Sequence, residues 1–446
     1  MTFALSRLRA RNVVRTALLA GLLAVGSIST AKGGHGGGGG GGDAQVAGEI
    51  LVRLSNAAAL GPLLQKHQLS LVSQFGARPI YRLQVIGLAD TGAKIEALAL
   101  EPQVLIAEPN SVNRSPEARR ANAWTIGTPQ AYAAQWAPAA LRLPQAHALS
   151  TGAGMRVAVL DTGIDAAHPA LAGRLLPGFD FVDFDNDPAE VGSAATSPSF
   201  GHGTHVAGIV AMVAPGAKIM PLRVLDADGA GNAWVLADAM LYAVDPDRNP
   251  ATDDGAQVLN LSLGTLSRTA ILDTIGTLAT CTIPAVVVAP IDDFSDPGFN
   301  ADKQRCAALA GAVVVAAVGN DASAALRQYP AAERFYGLLA VGASNAASQL
   351  ASFSNFGTWV DVTAPGEAIT STVPGGGFGT WSGTSMAAPM AAGAAALLRA
   401  SEPNLAPRDV ARRLARASAD LCGSKLRRID AAAALQISAA PASVCR

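Results

Sequence analysis

Gly383-Thr384-Ser385-Met386-Ala387-Ala388-Pro389 runs directly into Met390-Ala391-Ala392-Gly393-Ala394-Ala395-Ala396-Leu397-Leu398-Arg399-Ala400. The second half predicts a helix of small residues, with Leu397 and Leu398 as its large apolar groups near the end. Alanine favours helix and leaves little bulk, so neighbouring elements can come close. Pro389 is expected in the first turn, where a missing N–H costs nothing. Ser385 then stands at the helix N-terminus, behind a glycine that permits a tight turn. Free backbone N–H groups and the positive end of the helix dipole lie beside it. That setting suits a nucleophile whose reaction develops an oxyanion. A capping serine is the plainer alternative for Gly-Thr-Ser alone.

The chain of 446 residues is long enough for more than one domain. Half of its residues are hydrophobic and 15% charged, which argues against wholesale disorder. A net charge of −1, with no basic block beyond the N-terminus, argues against a nucleic-acid partner. Arg7, Arg9, Arg11 and Arg15 precede an apolar run from Thr16 to Ile28, and Ser29-Thr30-Ala31 supplies small residues for cleavage. Residues 1–31 therefore read as a secretory signal peptide, too short for a comfortable membrane span. The expectation is a secreted protein with no membrane attachment once the signal is removed. Residues 32–44 are a glycine-rich linker, unbroken from Gly36 to Gly42.

Beyond the linker, Glu49–Leu54 and Ile80–Val85 alternate with the period-2 pattern of half-buried strands, and Val104–Glu108 closes the region as a third. Ala57–His67 and Gly92–Leu100 read as helices, with His67 exposed. Ser115–Asn122 is polar and reads as an exposed linker. From Trp136 the pattern turns to α/β. Met155–Leu160, Lys218–Leu225, Gln257–Leu263 and Ala312–Ala317 are buried-type strands, with a helix over Trp234–Val244. Alternation of this kind implies a parallel sheet covered on both faces, with functional groups at the strands' carboxyl ends. Asp161 and Asn320 both fall there.

Three strings stand out in chain order: Val159-Leu160-Asp161-Thr162-Gly163-Ile164-Asp165, Gly201-His202-Gly203-Thr204-His205-Val206-Ala207-Gly208-Ile209, and the stretch around Ser385. Together they resemble the three active-site signatures of subtilisin-like serine proteases, in that family's Asp, His, Ser order. The resemblance spans about Trp136 to Leu435. It implies a subtilisin-like three-layer α/β domain with a mostly parallel sheet over residues 136–446. The strand–helix–strand–helix–strand region of residues 45–114 resembles the family's small α+β propeptide, which aids folding and inhibits until cut. Residues 115–135 would be the processing linker and the start of the mature chain, with the cut expected between about Asn110 and Trp124.

Carried onto this sequence, the resemblance implies that Ser385 is the nucleophile, His202 its base and Asp161 the group that orients the imidazole. Asn320 and the Ser385 backbone N–H would form the oxyanion hole. Ser262, Leu263 and Gly264 match the edge that pairs with extended substrate. Val318 and Gly319 match the other wall of the specificity pocket, and Gln328 is expected near its base. The implied function is hydrolysis of polypeptide by a monomeric serine endopeptidase that needs no cofactor and is restrained by its own propeptide. The alternative is a catalytically idle relative that binds peptides; the presence of all these residues argues against it. A zincin is excluded because Gly203-Thr204 supplies no glutamate between His202 and His205. A Gly-x-Ser-x-Gly esterase is excluded by Ala387. His205, His147 and His168 read as structural, and Asp165 as a local cap.

The longer loop that carries a calcium site in many relatives is missing after Met212-Val213-Ala214-Pro215. Asp180, Asp183, Asp185 and Asp187 offer hard oxygen ligands for a structural calcium instead, the alternative being a solvated acidic loop. Four cysteines allow three pairings. Sequence proximity favours Cys281–Cys306 and Cys422–Cys445. The first would staple an insertion close to the substrate cleft.

Overall fold

The computed structural model describes residues 44–118, 124–333 and 335–436. The signal reading, the glycine linker up to residue 43 and Cys445 lie outside these residues. At the centre is a sheet of nine strands. In spatial order it runs Ser418–Asp420, Arg427–Ile429, Val362–Pro365, Leu338–Ser344, Val313–Ala317, Val258–Leu261, Arg156–Asp161, Lys218–Arg223 and Phe179–Asp180. Every neighbouring pair is parallel except the first. Arg156–Asp161 is flanked by Lys218–Arg223 on one side and by Val258–Leu261 on the other. From Val258–Leu261 the chain continues outward through Val313–Ala317, Leu338–Ser344 and Val362–Pro365. The crevice between Arg156–Asp161 and Val258–Leu261, where the winding reverses, is therefore where such a sheet gathers its site.

Both faces of the sheet are covered, as the uninterrupted apolar strands require. Along Arg156–Asp161 the side chains alternate between two cores. Val157 and Val159 point to the layer holding the helices His202–Val213 and Thr384–Ser401. Ala158 and Leu160 point to the layer holding Ala233–Val244 and Ala270–Ala279. The small residues of the serine helix do what their size suggests. A Cβ on Gly393 would come within 2.5 Å of Val213 Cβ, so the serine and histidine helices meet at that glycine. Gly208 plays the same part against Ser371 and Thr372: a Cβ there would lie 2.3 and 2.2 Å from their hydroxyls. Gly208→Ala is expected to cost about 1–3 kcal/mol by overpacking and to lower the thermal unfolding midpoint measured by circular dichroism. An unchanged midpoint would mean that the histidine helix can back away from this contact.

Pro389 is not in the first turn. The helix starts at Thr384, so proline sits inside it and withholds the N–H that Ser385's carbonyl should receive. Ser262 Oγ donates to that carbonyl instead, at 2.9 Å.

The N-terminal region is an antiparallel sheet of Leu69–Gln74, Ile80–Val85, Gln45–Leu54 and Val104–Arg114, with Leu60–His67 and Thr91–Ala99 as helices. Its fifth strand, Ala230–Asn232, comes from the α/β part of the chain. One face has its own core around Ile50, Val52 and Leu83. The other gives Leu51, Phe75 and Ile106 to the core beneath Ala233–Val244 and Ala270–Ala279. Phe75 stacks on Trp234 with centroids 3.7 Å apart. Three expectations are corrected here. Leu69–Gln74 is an additional strand, on the sheet's edge and largely exposed at its centre, where weak apolar patterning hides it. His67 is buried, bonded to Glu101 Oε1 at 2.8 Å. The last strand continues past Glu108 to Arg114, and Ser115 and Glu117 beyond it are buried at 0% and 1% exposure, not an exposed linker.

Candidate active site

Asp161 ends its strand at the crevice, and His202 opens the helix behind it. Asp161 Oδ1 accepts from His202 Nδ1 at 2.7 Å and from the Thr162 N–H at 2.8 Å. Glu190 locks the turn underneath. It accepts from Thr204 N and Oγ1 (3.0 Å each), Gly201 N (3.2 Å) and Thr162 Oγ1 (3.0 Å), while Thr162 Oγ1 takes the Gly203 N–H. Burial raises the Glu190 pKa, and Asp161's charge adds to that. Sequence reasoning missed Glu190, which carries no motif signal. His205 is buried and neutral, its pKa lowered to about 3 by burial and then by His202. Its Nε2–H donates to the carbonyls of Ile369 and Gly379, the structural role expected of it. His147 and His168 are likewise bonded to backbone carbonyls, of Val213 and Gly377. Asp165 accepts locally from the Ala167 N–H, as expected, and also from the N–H groups of the distant Gly375 and Gly376.

Ser385 faces this pair from the first turn of its helix. Asn320 lies beside it with its amide oriented by Thr384, whose N–H and hydroxyl both donate to Asn320 Oδ1 at 2.9 Å. The Asn320 amine is thereby turned toward the serine. Thr384 is a second positioning residue that the sequence did not single out.

What fills the centre is Glu117. Its Oε2 accepts from Ser385 Oγ at 2.5 Å and lies 3.1 Å from His202 Nε2; its Oε1 accepts from Asn320 Nδ2 at 2.8 Å. Asp161, His202, Ser385, Asn320 and Glu117 are all at most 4% exposed. Burial alone would lower the His202 pKa, but the carboxylates of Asp161 and Glu117 outweigh it and lift the imidazole to about 10. In the same way burial would raise Glu117, but the bonds from His202, Ser385 and Asn320 hold it below its ordinary value. An imidazolium therefore stands between two carboxylates.

Glu117 arrives on a strand threaded through a slot. Arg114 and Gly264 exchange both backbone hydrogen bonds at 2.9 Å, and on the other side Val112, Asn113 and Arg114 pair with Asn232, Gly231 and Ala230. Ser115 N–H then donates to Gly229 O. Gly264 thus borders an extended chain, here the protein's own, while Ser262 two residues earlier is bonded to Ser385. Gln328 lies against both Gly264 and Gly319: a Cβ on Gly264 would fall 2.4 Å from its Cγ, and one on Gly319 2.3 Å from its Oε1. Gln328 is 1% exposed, and neither amide atom has a hydrogen-bond partner. Val318 is buried beside it and accepts nothing from Gln328; its carbonyl takes Asn355 Nδ2.

Residues 152–432 match the subtilase family, peptidase S8. The chain belongs to the subtilase family. This subtilase is 35% identical over 334 residues to a thermophilic serine proteinase of Bacillus sp. (strain AK1), covering 72% of this chain and 70% of that protein. It is 35% identical over 285 residues to thermitase of Thermoactinomyces vulgaris, covering 62% of this chain and 85% of thermitase. Fervidolysin from Fervidobacterium pennivorans, a keratinolytic enzyme related to subtilisin, shares its fold with a TM-score of 0.65 at 24% identity, covering 89% of this chain and 61% of that one. A protease from Pseudoalteromonas arctica matches with a TM-score of 0.56 at 29% identity, covering 70% and 99%. The subtilase is a serine endopeptidase of the subtilisin-like kind, and its fold is the α/β arrangement that the motifs implied.

The four acidic residues expected to hold calcium do not gather round one point. Asp180 and Asp183 both turn to the Arg223 guanidinium, Asp180 also accepts from the Val182 and Asp183 N–H groups, and Asp185 accepts from the Asp187 N–H. A cation already occupies the best pair of ligands, so this loop does not fit a metal as it stands. Among the described residues the acidic side chains that do approach within 4.8 Å of one another are Asp245, Asp247 and Asp254. Cys281 and Cys306 are paired, with Cα atoms 5.2 Å apart. Cys422 is disulfide-bonded as well, and its expected partner Cys445 is not among the described residues.

Proposed function

We propose that this subtilase is a secreted monomeric endopeptidase made as a latent precursor, in which residues 45–114 are the propeptide. Asp161, His202 and Ser385 are its triad, with Asn320 and the Ser385 N–H as the oxyanion hole. The observation that carries the reading is the Glu117 carboxylate, held at once by the Ser385 hydroxyl, the His202 imidazole and the Asn320 amide. Those three donors converge where an acyl-transfer oxyanion would form, and the strand before Glu117 lies along the two edges that would pair with substrate. A carboxylate is a poor electrophile, and it keeps His202 charged, so the uncut chain is latent.

A cut between about Asn110 and Trp124 frees the strand from the slot, and Glu117 leaves the site with it, either departing with the propeptide or swinging out on the new N-terminus. His202 is then relieved of one of its two carboxylates and can act as a base. It takes the Ser385 Oγ proton at Nε2 while Oγ attacks the peptide carbonyl carbon, and the negative oxygen is received by Asn320 Nδ2–H and the Ser385 N–H. The Nε2 proton passes to the departing amine, which leaves an acyl-enzyme. Water, deprotonated by His202, adds to the ester carbonyl, and collapse returns the proton to Ser385 Oγ. Besides substrate, only protein groups and water take part. Gln328 shapes the preference at the residue before the cut: its unpartnered buried amide favours a substrate side chain that can bond to it and gives no support to a strict demand for a basic residue.

A fluorophosphonate probe tests the reading. The processed protein is expected to gain one phosphonyl mass on Ser385 and to stop digesting casein in proportion to labelling. A label elsewhere, or casein digestion that survives full labelling, would remove Ser385 from the role.

A further inference from the structure

Arg53 is fully buried, at 0% exposure, on the N-terminal strand Gln45–Leu54. Its guanidinium enters a receptor built largely from the segment between Cys281 and Cys306. Nη1 donates to the Ile291 carbonyl and to Thr274 Oγ1, Nη2 donates to the Asp293 carbonyl, and Cζ lies 4.5 Å from the Phe294 ring and 5.3 Å from the Phe299 ring. Two aromatic faces and two carbonyls are what a desolvated guanidinium needs. A second arginine is received nearby. Arg78 Nε and Nη2 donate to the two oxygens of Asp302 at 2.8 and 2.7 Å, and Asp302 is 2% exposed. Main chains touch as well: a Cβ on Gly298 would fall 2.2 Å from the Ala77 carbonyl oxygen, and Asp296 Oδ2 accepts from the Ala57 N–H.

The receptor contributes no strand to any sheet. It consists of the 3-10 turns Pro290–Asp292 and Pro297–Phe299 and the helix Asn300–Ala308, closed by the disulfide. Phe294, Phe299 and Asp302 all face residues 53–78, and not the slot beside Ser385 where the sequence led us to expect this insertion.

We propose that the Cys281–Cys306 segment is a recognition surface for paired arginine side chains on a β-sheet domain, and that its resident partner is the propeptide of this chain. The proposal rests on the reading that residues 45–114 separate from the peptidase after cleavage. The segment then decides which propeptide this peptidase accepts, independently of the strand in the slot: the slot reads main chain, whereas this surface reads two guanidinium groups at a set spacing. Once the partner leaves, the rings and the Asp302 carboxylate are open to another polypeptide carrying arginines in the same arrangement.

Exchanging the charges tests it. In the uncut Ser385→Ala chain, Arg78→Asp and Asp302→Arg are each expected to raise amide hydrogen exchange across 286–305 and 74–80 by about tenfold or more, since each leaves a buried charge uncompensated. The double exchange is expected to bring both segments back to within about threefold of the parent. In the active chain after processing, the same single changes are expected to hasten loss of the cleaved segment on gel filtration, and the double change to slow it again. If a single variant fails to fold, Arg78→Gln and Asp302→Asn with their double give the same cycle without reversed charge. Unchanged exchange in the single variants, or a double no better than the singles, overturns the proposal. A chain that is never cut removes the propeptide reading alone, because the exchange experiment on the uncut protein still decides whether the surface recognises residues 53–78.

Discussion

Ser385→Ala is expected to lower turnover of casein by about 10⁶-fold, the scale on which removal of a triad serine acts. The magnitude follows from the concerted use of the group. Without the hydroxyl there is no acyl-enzyme, and the His202 proton shuttle has nothing to activate, while the oxyanion donors retain a residual of about 10³–10⁴ over water. The fold should tolerate the change. Ser385 Oγ contributes hydrogen bonds to Glu117 and to the Ser262 carbonyl, but Asn320 and His202 still hold Glu117, and the helix is packed through Met386, Met390, Leu397, Leu398 and its alanines, none of which the change touches. Mass spectrometry of the two proteins, each incubated with casein, measures both activities together. Loss of casein digestion and of self-cleavage in the variant places both on Ser385. A variant that matures normally but leaves casein intact assigns maturation to another protease. A variant that digests casein like the parent rules out Ser385 as the nucleophile.

The second large effect is expected at Glu117. In chain isolated before cleavage, Glu117→Gln should speed fluorophosphonate labelling of Ser385 by about 100-fold, because charge-assisted hydrogen bonds contribute about 1.5–3 kcal/mol each and at least one is lost as an ion pair. Labelling of the parent should itself depend on pH, with a sign set by the two shifted groups. The His202 pKa is raised to about 10, so its contribution to the plugged state is full below the ordinary 6.5 and is lost as pH rises through about 10. The Glu117 pKa is lowered, so its contribution is full above the ordinary 4.5 and is lost as pH falls through the lowered value. Labelling is therefore slowest between these ordinary values and climbs toward alkaline pH. In Glu117→Gln one of the two carboxylates holding the imidazolium is gone, so the alkaline rise should begin at lower pH. A variant with the parent's rate and the parent's profile would show Glu117 to be a bystander.

Much of this candidate site is legible in the sequence. Asp161 closes a strand of a parallel sheet and Asn320 follows three residues after another, and such strands deliver their ends to one crevice; His202 and Ser385 open helices that pack on the same face. Local patterns carry that information. Glu117 escaped because its meaning is not local. Pro116, Arg119 and Arg120 give its surroundings the composition of a linker, and nothing nearby reports that the preceding strand will lie between Gly264 and Asn232. The acidic run at Asp180–Asp187 misled for the same reason, its counter-ion being Arg223, on a different strand of the sheet. His67 found its partner Glu101 across the end of another helix. Pro389 differs: its position in the helix shifts with where the helix starts, and a boundary error of a few residues turned an interior proline into a terminal one.

That interior proline ties together two parts of the enzyme that are usually considered apart. Because Pro389 withholds an N–H, the carbonyl of Ser385 is free to be held by the hydroxyl of Ser262, while the Ser385 hydroxyl reaches the Ser262 carbonyl at 3.2 Å. On the proposed reading Ser262 belongs to the edge that grips an extended chain, so grip and nucleophile would be braced against each other through this reciprocal pair of bonds. Tension on one is felt by the other. Selection on how firmly this edge holds a polypeptide would then also act on how the serine is aimed, and the two properties would not drift separately.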